Sequence, residues 1–487
     1  MSRWQGLAAA LLVLVSLAPH AVAQKKKAAP ADPALAKKQE AVALVEKQEA
    51  GLVKVSDAIW GYAETALREK RSAKEMADYA EQQGFQVERG VAGMPTAFVA
   101  SYGSGAPVIG ILGEYDALPG ISQKASSTKE ALAPGAPGHG CGHNLLGSAS
   151  MGAAVAIKQM IEAGKLKGTI RYYGTPAEEA VGGKVYMVRE GLFKDVDVVL
   201  AWHPATENSA DTGGGQAIID MIVEFKGKAA HAAFDPWNGR SAVDGLEAMT
   251  HGLNMMREHI QPTSRMHYVI VKGGDVPNVV PEYAKLWLWL RDTKRERMDE
   301  MFARVQKMAQ GAALIAGVES KITVQAGDYE RLVNMNGERL LYENMQWLGP
   351  LKFTDEEQAF AKQIQANTGV KQVGLLGEIK KFDPNPPAEG GSTDVGDVSW
   401  NVPTLHFSIT TAADGAPWHG WPVVATSGMS IGHKGMMYAA KVLAATAVDL
   451  YEKPAAREAI KKEFAEQTKG FVYKPYVPEG PPPVPKD

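Results

Sequence analysis

Pro137-Gly138-His139-Gly140-Cys141-Gly142-His143-Asn144 is the stretch on which the reading of this chain turns. Its glycines let the backbone bend, because glycine enters the left-handed region at little cost. Asn144 is a good N-cap, and the run from Leu145 to Ala163 reads as the helix it would cap. Cys141 and His143 therefore lie in a tight turn feeding a helix, where both can point at one spot. A thiolate and an imidazole aimed together are either metal ligands or half of a Cys–His nucleophile.

Outward from that turn a pattern recurs: an apolar, β-rich run ends and a chemically able residue follows at once. Val108-Ile109-Gly110-Ile111-Leu112 leads to Glu114 and Asp116, and Thr169-Ile170-Arg171-Tyr172-Tyr173 leads to Glu178 and Glu179. Val198 to Trp202 leads to His203, and Thr404 to Ser408 leads through a Gly/Ala-rich loop to His419. Helical runs separate these strands, which predicts an α/β domain with a mostly parallel sheet and helices on both faces. Ligands of such sheets bind beyond the carboxyl ends of the strands, where these groups fall. Cys141, His143, one of Glu178 and Glu179, His203 and His419 are thus candidate metal ligands. Thiolate, imidazole and carboxylate together suit zinc, with manganese as the alternative. Five ligands exceed a closed four-ligand site, whereas two divalent ions sharing one ligand would use all five. The other glutamate of the pair is then free to act as general base.

Residues 213–332 read as an insertion. The order of strand and helix patterns is β-α-β-β-α-β, a self-contained two-layer sandwich entered through Gly213-Gly214-Gly215. The catalytic domain is accordingly expected in two parts, 37–212 and 333–470. Arg3, the apolar run Leu7 to Leu17 and Ala21-Val22-Ala23 predict a cleavable signal peptide over 1–23 and an exported, periplasmic or secreted protein. The apolar run is too short for a stable membrane anchor. A Lys/Ala/Pro-rich linker (24–36) and a proline-rich tail (471–487) are expected not to fold. The single cysteine excludes an internal disulfide, and a net charge of −3 gives no support for nucleic-acid binding.

Six motifs then carry a resemblance: Gly113-Glu114-Tyr115-Asp116-Ala117-Leu118-Pro119, Gly138 to Asn144, Thr175-Pro176-Ala177-Glu178-Glu179, Gly227-Lys228-Ala229-Ala230-His231-Ala232, Val276-Pro277-Asn278-Val279-Val280-Pro281 and Gly391-Ser392-Thr393-Asp394-Val395 to Ser399. The chain resembles the M20 family of metallopeptidases and amidohydrolases, on the branch of N-acyl-amino-acid and p-aminobenzoyl-glutamate hydrolases. The resemblance implies two divalent metal ions bridged by Cys141, with His143, Glu179, His203 and His419 as the other ligands. It implies Glu178 as general base and Asp116 as the group that orients a ligand. It also implies that the insertion dimerises the protein, with His231 stabilising the oxyanion in its own or the partner's site. Asn278 and Arg291 are candidates for binding the substrate, since a guanidinium matches a carboxylate bidentately. Gly391, Ser392 and Thr393 offer N–H groups and hydroxyls to an anion. Asn144 departs from the Asp that many relatives carry.

The expected activity is metal-dependent hydrolysis of N-acyl or N-aroyl amino acids by a homodimer. A carboxypeptidase or dipeptidase acting on short peptides uses the same groups. A cysteine hydrolase and a non-catalytic binding protein are the further alternatives.

Overall fold

The computed structural model describes residues 33–387 and 390–485. The expected signal peptide lies outside the described residues, as does most of the expected linker. Residues 33–36 are not linker but the start of a helix, Pro33–Glu46, anchored by buried Ala34, Ala41 and Val45. Among the described residues no helix is long and apolar enough to cross a membrane.

Among the described residues eleven strands form two sheets. They are β1 (Gln86–Arg89), β2 (Phe98–Gly103), β3 (Val108–Gly113), β4 (Thr169–Gly174), β5 (Val198–Ala205), β6 (Ser209–Ala210), β7 (Ala217–Lys226), β8 (Arg265–Gly273), β9 (Tyr283–Asp292), β10 (Glu319–Asp328) and β11 (Thr404–Thr410). The larger sheet runs β1-β2-β4-β3-β5-β11-β6. Its heart, β4-β3-β5-β11, is parallel, while β1, β2 and β6 add antiparallel edges. β3 opens Val-Ile-Gly-Ile-Leu and β5 Val-Val-Leu-Ala-Trp, continuous apolar runs that suit strands covered by helices on both faces. One covering helix, His143–Glu162, sits so close to β3 that a Cβ on Gly147 would lie 2.5 Å from the Glu114 carbonyl oxygen. That contact fixes the position of the turn carrying Cys141.

The second sheet, β10-β7-β9-β8, is wholly antiparallel and carries helices Ala242–Met256 and Arg295–Ala316. Buried and less buried residues alternate along β7 and β9, as expected for a sheet with helices on one face only. Chain entry and exit are laced together: Arg331 N–H donates to the Gly214 carbonyl, and Gln216 N–H to that of Gly391.

The proline-rich tail is folded, contrary to expectation. It forms no helix or strand among the described residues, but Val477 is buried, and the Tyr473 and Tyr476 hydroxyls donate to Asp397 (2.7 Å) and Asp299 (2.6 Å). Asp397 belongs to the larger domain and Asp299 to the sandwich, so the tail straps one to the other. Its tyrosines supply the apolar area and hydrogen bonds that proline content alone does not reveal.

Candidate metal centre

Gly142, at φ +76°, turns the chain so that Cys141 and His143 face the same side as the helix begins. Cys141 is buried, and its Sγ lies 3.3 Å from His203 Nε2 at the end of β5. Trp418 Nε1–H donates to the same sulfur at 3.2 Å. The ligand atoms of Cys141, His143 and His203 all lie within 4.8 Å of one another, and so do those of Cys141, Glu179 and His419. The two triplets share Sγ.

Hydrogen bonds orient the ring nitrogens. Asp116 Oδ1 is 2.9 Å from His143 Nδ1, and its Oδ2 accepts the Glu179 N–H at 2.9 Å. The Pro204 carbonyl, 2.6 Å from His203 Nδ1, leaves Nε2 facing the sulfur. Ala177 and His419 hold φ of +62° and +57°, left-handed values that are costly for residues with a Cβ. The Glu69 carboxyl accepts the Ala177 N–H at 2.9 Å and so clamps the turn that presents Glu178 and Glu179.

The donor set fits divalent cations. His143 Nε2, Glu179 Oε1 and Glu114 Oε2 are buried without a hydrogen-bond partner, an expensive state for polar atoms. Burial and the charge of Glu179 push the Cys141 thiol up. Burial, Glu114 and Glu179 hold Glu178 well above the usual carboxylate range. Burial pushes Glu179 up to about 7, and burial with the His143 charge takes His203 down to about 4. So many mutually repelling acceptors in one place call for cationic charge. Glu178 belongs to neither sulfur-sharing triplet, yet its carboxylate lies within 4.8 Å of the ligand atoms of His143 and Glu114.

The other predicted residues fall in two places. Arg291 Nη1 donates to Ser392 Oγ at 2.8 Å, joining β9 to the Gly391-Ser392-Thr393 loop. In that loop the Gly391 carbonyl already accepts Gln216 N–H and the Thr393 hydroxyl accepts Val395 N–H, so Ser392 is the member aligned with Arg291. His231 and Asn278 lie elsewhere, exposed and side by side on the sandwich: His231 bridges to Val279, and the Asn278 carbonyl accepts Ala232 N–H. The hydrogen bonds of His231 go to Ala233, Phe234 and Asp235 of its own loop, not to the metal-ligand cluster. Asn144 is not the N-cap. It lies inside the helix, and its Nδ2 donates to Ser56 Oγ and the Ser427 carbonyl, cross-linking buried elements.

Sequence reasoning gave no role to Glu69, Glu114, Lys184, Asp394 or Trp418. Lys184 is fully buried, and its Nζ lies 2.6 Å from Glu114 Oε1 and 2.6 Å from Asp394 Oδ1. Glu114 Oε2 in turn lies 3.2 Å from His143 Nε2, so an ion chain runs from the cluster to the loop beside Arg291. Glu114 and Asp394 stand within motifs that carry the family resemblance, whereas Lys184 follows the Glu178-Glu179 turn without any local signal.

Comparison with known proteins gives a consistent picture. Residues 215–315 match the model of the M20 peptidase dimerisation domain. The chain is 38% identical to one of the two kinds of subunit of the p-aminobenzoyl-glutamate hydrolase of Escherichia coli, over 88% of this chain and 95% of that one. It is 30% identical to the Xaa-Arg dipeptidase of Mus musculus, over 88% and 92%. Among solved structures, an aminobenzoyl-glutamate utilization protein from Klebsiella pneumoniae shares the fold at a TM-score of 0.58 and 20% identity, covering 83% of this chain and 97% of that one. A Bacillus subtilis protein described as a dinuclear metal binding peptidase does so at 0.57 and 17%, covering 84% and 99%.

Proposed function

Because the chain belongs to the M20 family of metallopeptidases and amidohydrolases, we propose that it is a metal-dependent hydrolase cleaving the amide bond of N-acyl or N-aroyl amino acids of the p-aminobenzoyl-glutamate type. The observation that carries this reading is the pair of ligand triplets sharing Cys141 Sγ, with Glu178 standing free beside them. Cys141, His143 and His203 would hold one divalent ion, and Cys141, Glu179 and His419 the other, zinc or manganese by donor chemistry. Two such ions supply Lewis acidity to an amide carbonyl and acidify an attacking water.

The chain's own residues do the rest. Glu178 takes the proton of the water as its oxygen bonds to the carbonyl carbon, then delivers it to the nitrogen as the C–N bond breaks. Asp116 holds the ring of His143, and Glu69 holds the turn bearing the base. Arg291 and Ser392 take the substrate carboxylate.

The exposed placement of His231 and Asn278 supports service to a partner's site in a homodimer. Val269, Ile270 and Val271 on edge strand β8 are exposed apolar groups suited to a two-fold contact. Light scattering tests the dimer. Export directed by residues 1–23 is tested by the N-terminal sequence of the mature protein.

The deciding experiment assays zinc- and manganese-loaded protein on p-aminobenzoyl-glutamate, other N-acyl amino acids and dipeptides. Glu178→Ala should retain metal and lose at least about 100-fold in kcat. Full turnover at full metal content would remove Glu178 from the mechanism. Activity that survives chelation but not iodoacetamide would favour a cysteine hydrolase. The likeness to Xaa-Arg dipeptidase favours dipeptides as the second reading, which the same panel resolves.

A further inference from the structure

Lys184 is a fully buried cation to which the proposed mechanism gives no task. It stands at the start of the helix Gly183–Arg189, directly after the turn that carries Glu178 and Glu179. The Ala177 carbonyl accepts both the Val181 and the Gly182 N–H, and a Cβ on Gly183 would fall 2.0 Å from the Pro176 carbonyl oxygen. Turn and helix start are therefore one tight unit. Asp394 grips that unit twice. Its Oδ2 accepts the Lys184 backbone N–H at 2.8 Å, a donor that the first turn of a helix leaves unpartnered, and its Oδ1 accepts the ammonium at 2.6 Å. Asp394 is itself buried, and it closes the Gly391-Ser392-Thr393 loop that meets Arg291.

The second carboxylate on the ammonium leads back to the metal-ligand cluster. Glu114 Oε1 lies 2.6 Å from Nζ, and its Oε2 lies 3.2 Å from His143 Nε2. One side chain thus joins three segments distant in sequence: the end of β3, the turn with the base, and the loop at the carboxylate grip. Stability does not account for such a group. Replacing a whole buried ion triad by well-packed apolar side chains is often neutral or stabilising. What the triad supplies, and an apolar plug does not, is a short, directed connection between those segments.

We propose that Lys184 is a positioning residue that sets the register between the carboxylate of the substrate and its scissile amide. The proposal rests on the amidohydrolase reading and adds how the grip on one half of the substrate counts in the reaction of the other. Arg291 and Ser392 hold the carboxylate, and the Asp394–Lys184–Glu114 tie fixes their distance from Glu178 and His143. The carbonyl carbon then lies where Glu178 can serve the attack, a placement in which an error of about 1 Å costs about 100-fold in rate. The carboxylate contact is thereby realised in the transition state, so losing it lowers kcat and does not only raise KM.

The test crosses substrate with protein. Metal-loaded wild type, Lys184→Met and Asp394→Asn are assayed on p-aminobenzoyl-glutamate and on the same compound with its α-carboxylate converted to a carboxamide. In the wild type the conversion should lower kcat about 100-fold. In each variant the kcat ratio between the two substrates should fall below about tenfold, while the conversion still raises KM, because Arg291 and Ser392 are untouched. Asp394→Asn keeps the size of its side chain and carries the test if Lys184→Met does not fold. A wild-type kcat indifferent to the conversion overturns the proposal. So does a ratio unchanged in the variants, with kcat reduced equally for both substrates, which would leave Lys184 a support of the fold alone. Calorimetry with glutamate reads the tie without turnover. Zinc-loaded wild type should bind glutamate at least about fivefold more tightly than the zinc-free protein, and the variants should bind it equally in both states. The same difference in all three proteins assigns it to direct contact of glutamate with the ions and overturns the tie. If no amide is hydrolysed but the difference exists in the wild type and vanishes in the variants, the amidohydrolase reading falls and the tie stands.

Discussion

Replacing Lys184 by methionine removes a fully buried ammonium held 2.6 Å from Glu114 and 2.6 Å from Asp394. Both carboxylates stay buried, and taking one partner from a buried ion pair costs about 3–5 kcal/mol. Asp394 already sits above the ordinary carboxylate range through burial, even with Lys184 beside it, while Lys184 and His143 hold Glu114 below that range against burial. Without the ammonium both rise. The folded variant then keeps a proton that the unfolded chain releases above about pH 4, so its stability falls as pH climbs toward the raised values. For each carboxylate concerned, the change is about 1.4 kcal/mol per pH unit. Equilibrium urea unfolding of the metal-free protein should therefore show a loss of about 4 kcal/mol at pH 7.5 that shrinks to about 1–2 kcal/mol at pH 5.5. A loss below about 1 kcal/mol, or an equal loss at both pH values, would refute the reasoning.

Cys141→Ala should release both ions together on dialysis, since the sulfur serves both triplets, and metal analysis should show no one-ion species. Burial pushes Asp397 up to about 7 against the opposing Tyr473 and Tyr329 hydrogen bonds, so this group contributes stability at low pH that is lost as pH rises from about 4 through 7, one part of the protein's slope over that range. Asp397→Asn should flatten that slope in the same unfolding assay. Truncation after Gly470 removes buried Val477 and both tyrosine hydroxyl bonds, and should lower the unfolding midpoint by the equivalent of several kcal/mol. Proteolysis at the Gly213-Gly214-Gly215 junction should accelerate in the truncated chain.

The parallel sheet was legible because its apolar runs end at polar, chemically able residues, and a strand end is a place that sequence can mark, whereas the grouping of Cys141, His143, Glu179, His203 and His419 into two candidate triplets comes only with the fold. The sandwich was legible from the β-α-β-β-α-β order of its strand and helix patterns, and the burial along β7 and β9 alternates as in a sheet covered on one face. Asn144 was misread because a residue good at capping is equally good at cross-linking when the preceding glycine turns the chain. The tail was misread because proline content argues against helix and strand but not against docking, which depends on where Tyr473, Tyr476 and Val477 land. Lys184 carried no signal at all: a lone lysine early in a helix gains its meaning only from carboxylates brought by two distant segments.

Because a single sulfur belongs to both ligand triplets, the centre has one shared point of chemical vulnerability. Oxidation of Sγ by peroxide to a sulfenate or sulfinate would take the common donor from both triplets in one event. With no second cysteine in the chain, an intramolecular disulfide cannot return it to the thiol. The Trp418 indole, whose Nε1–H donates to Sγ at 3.2 Å, would cover that atom from one side.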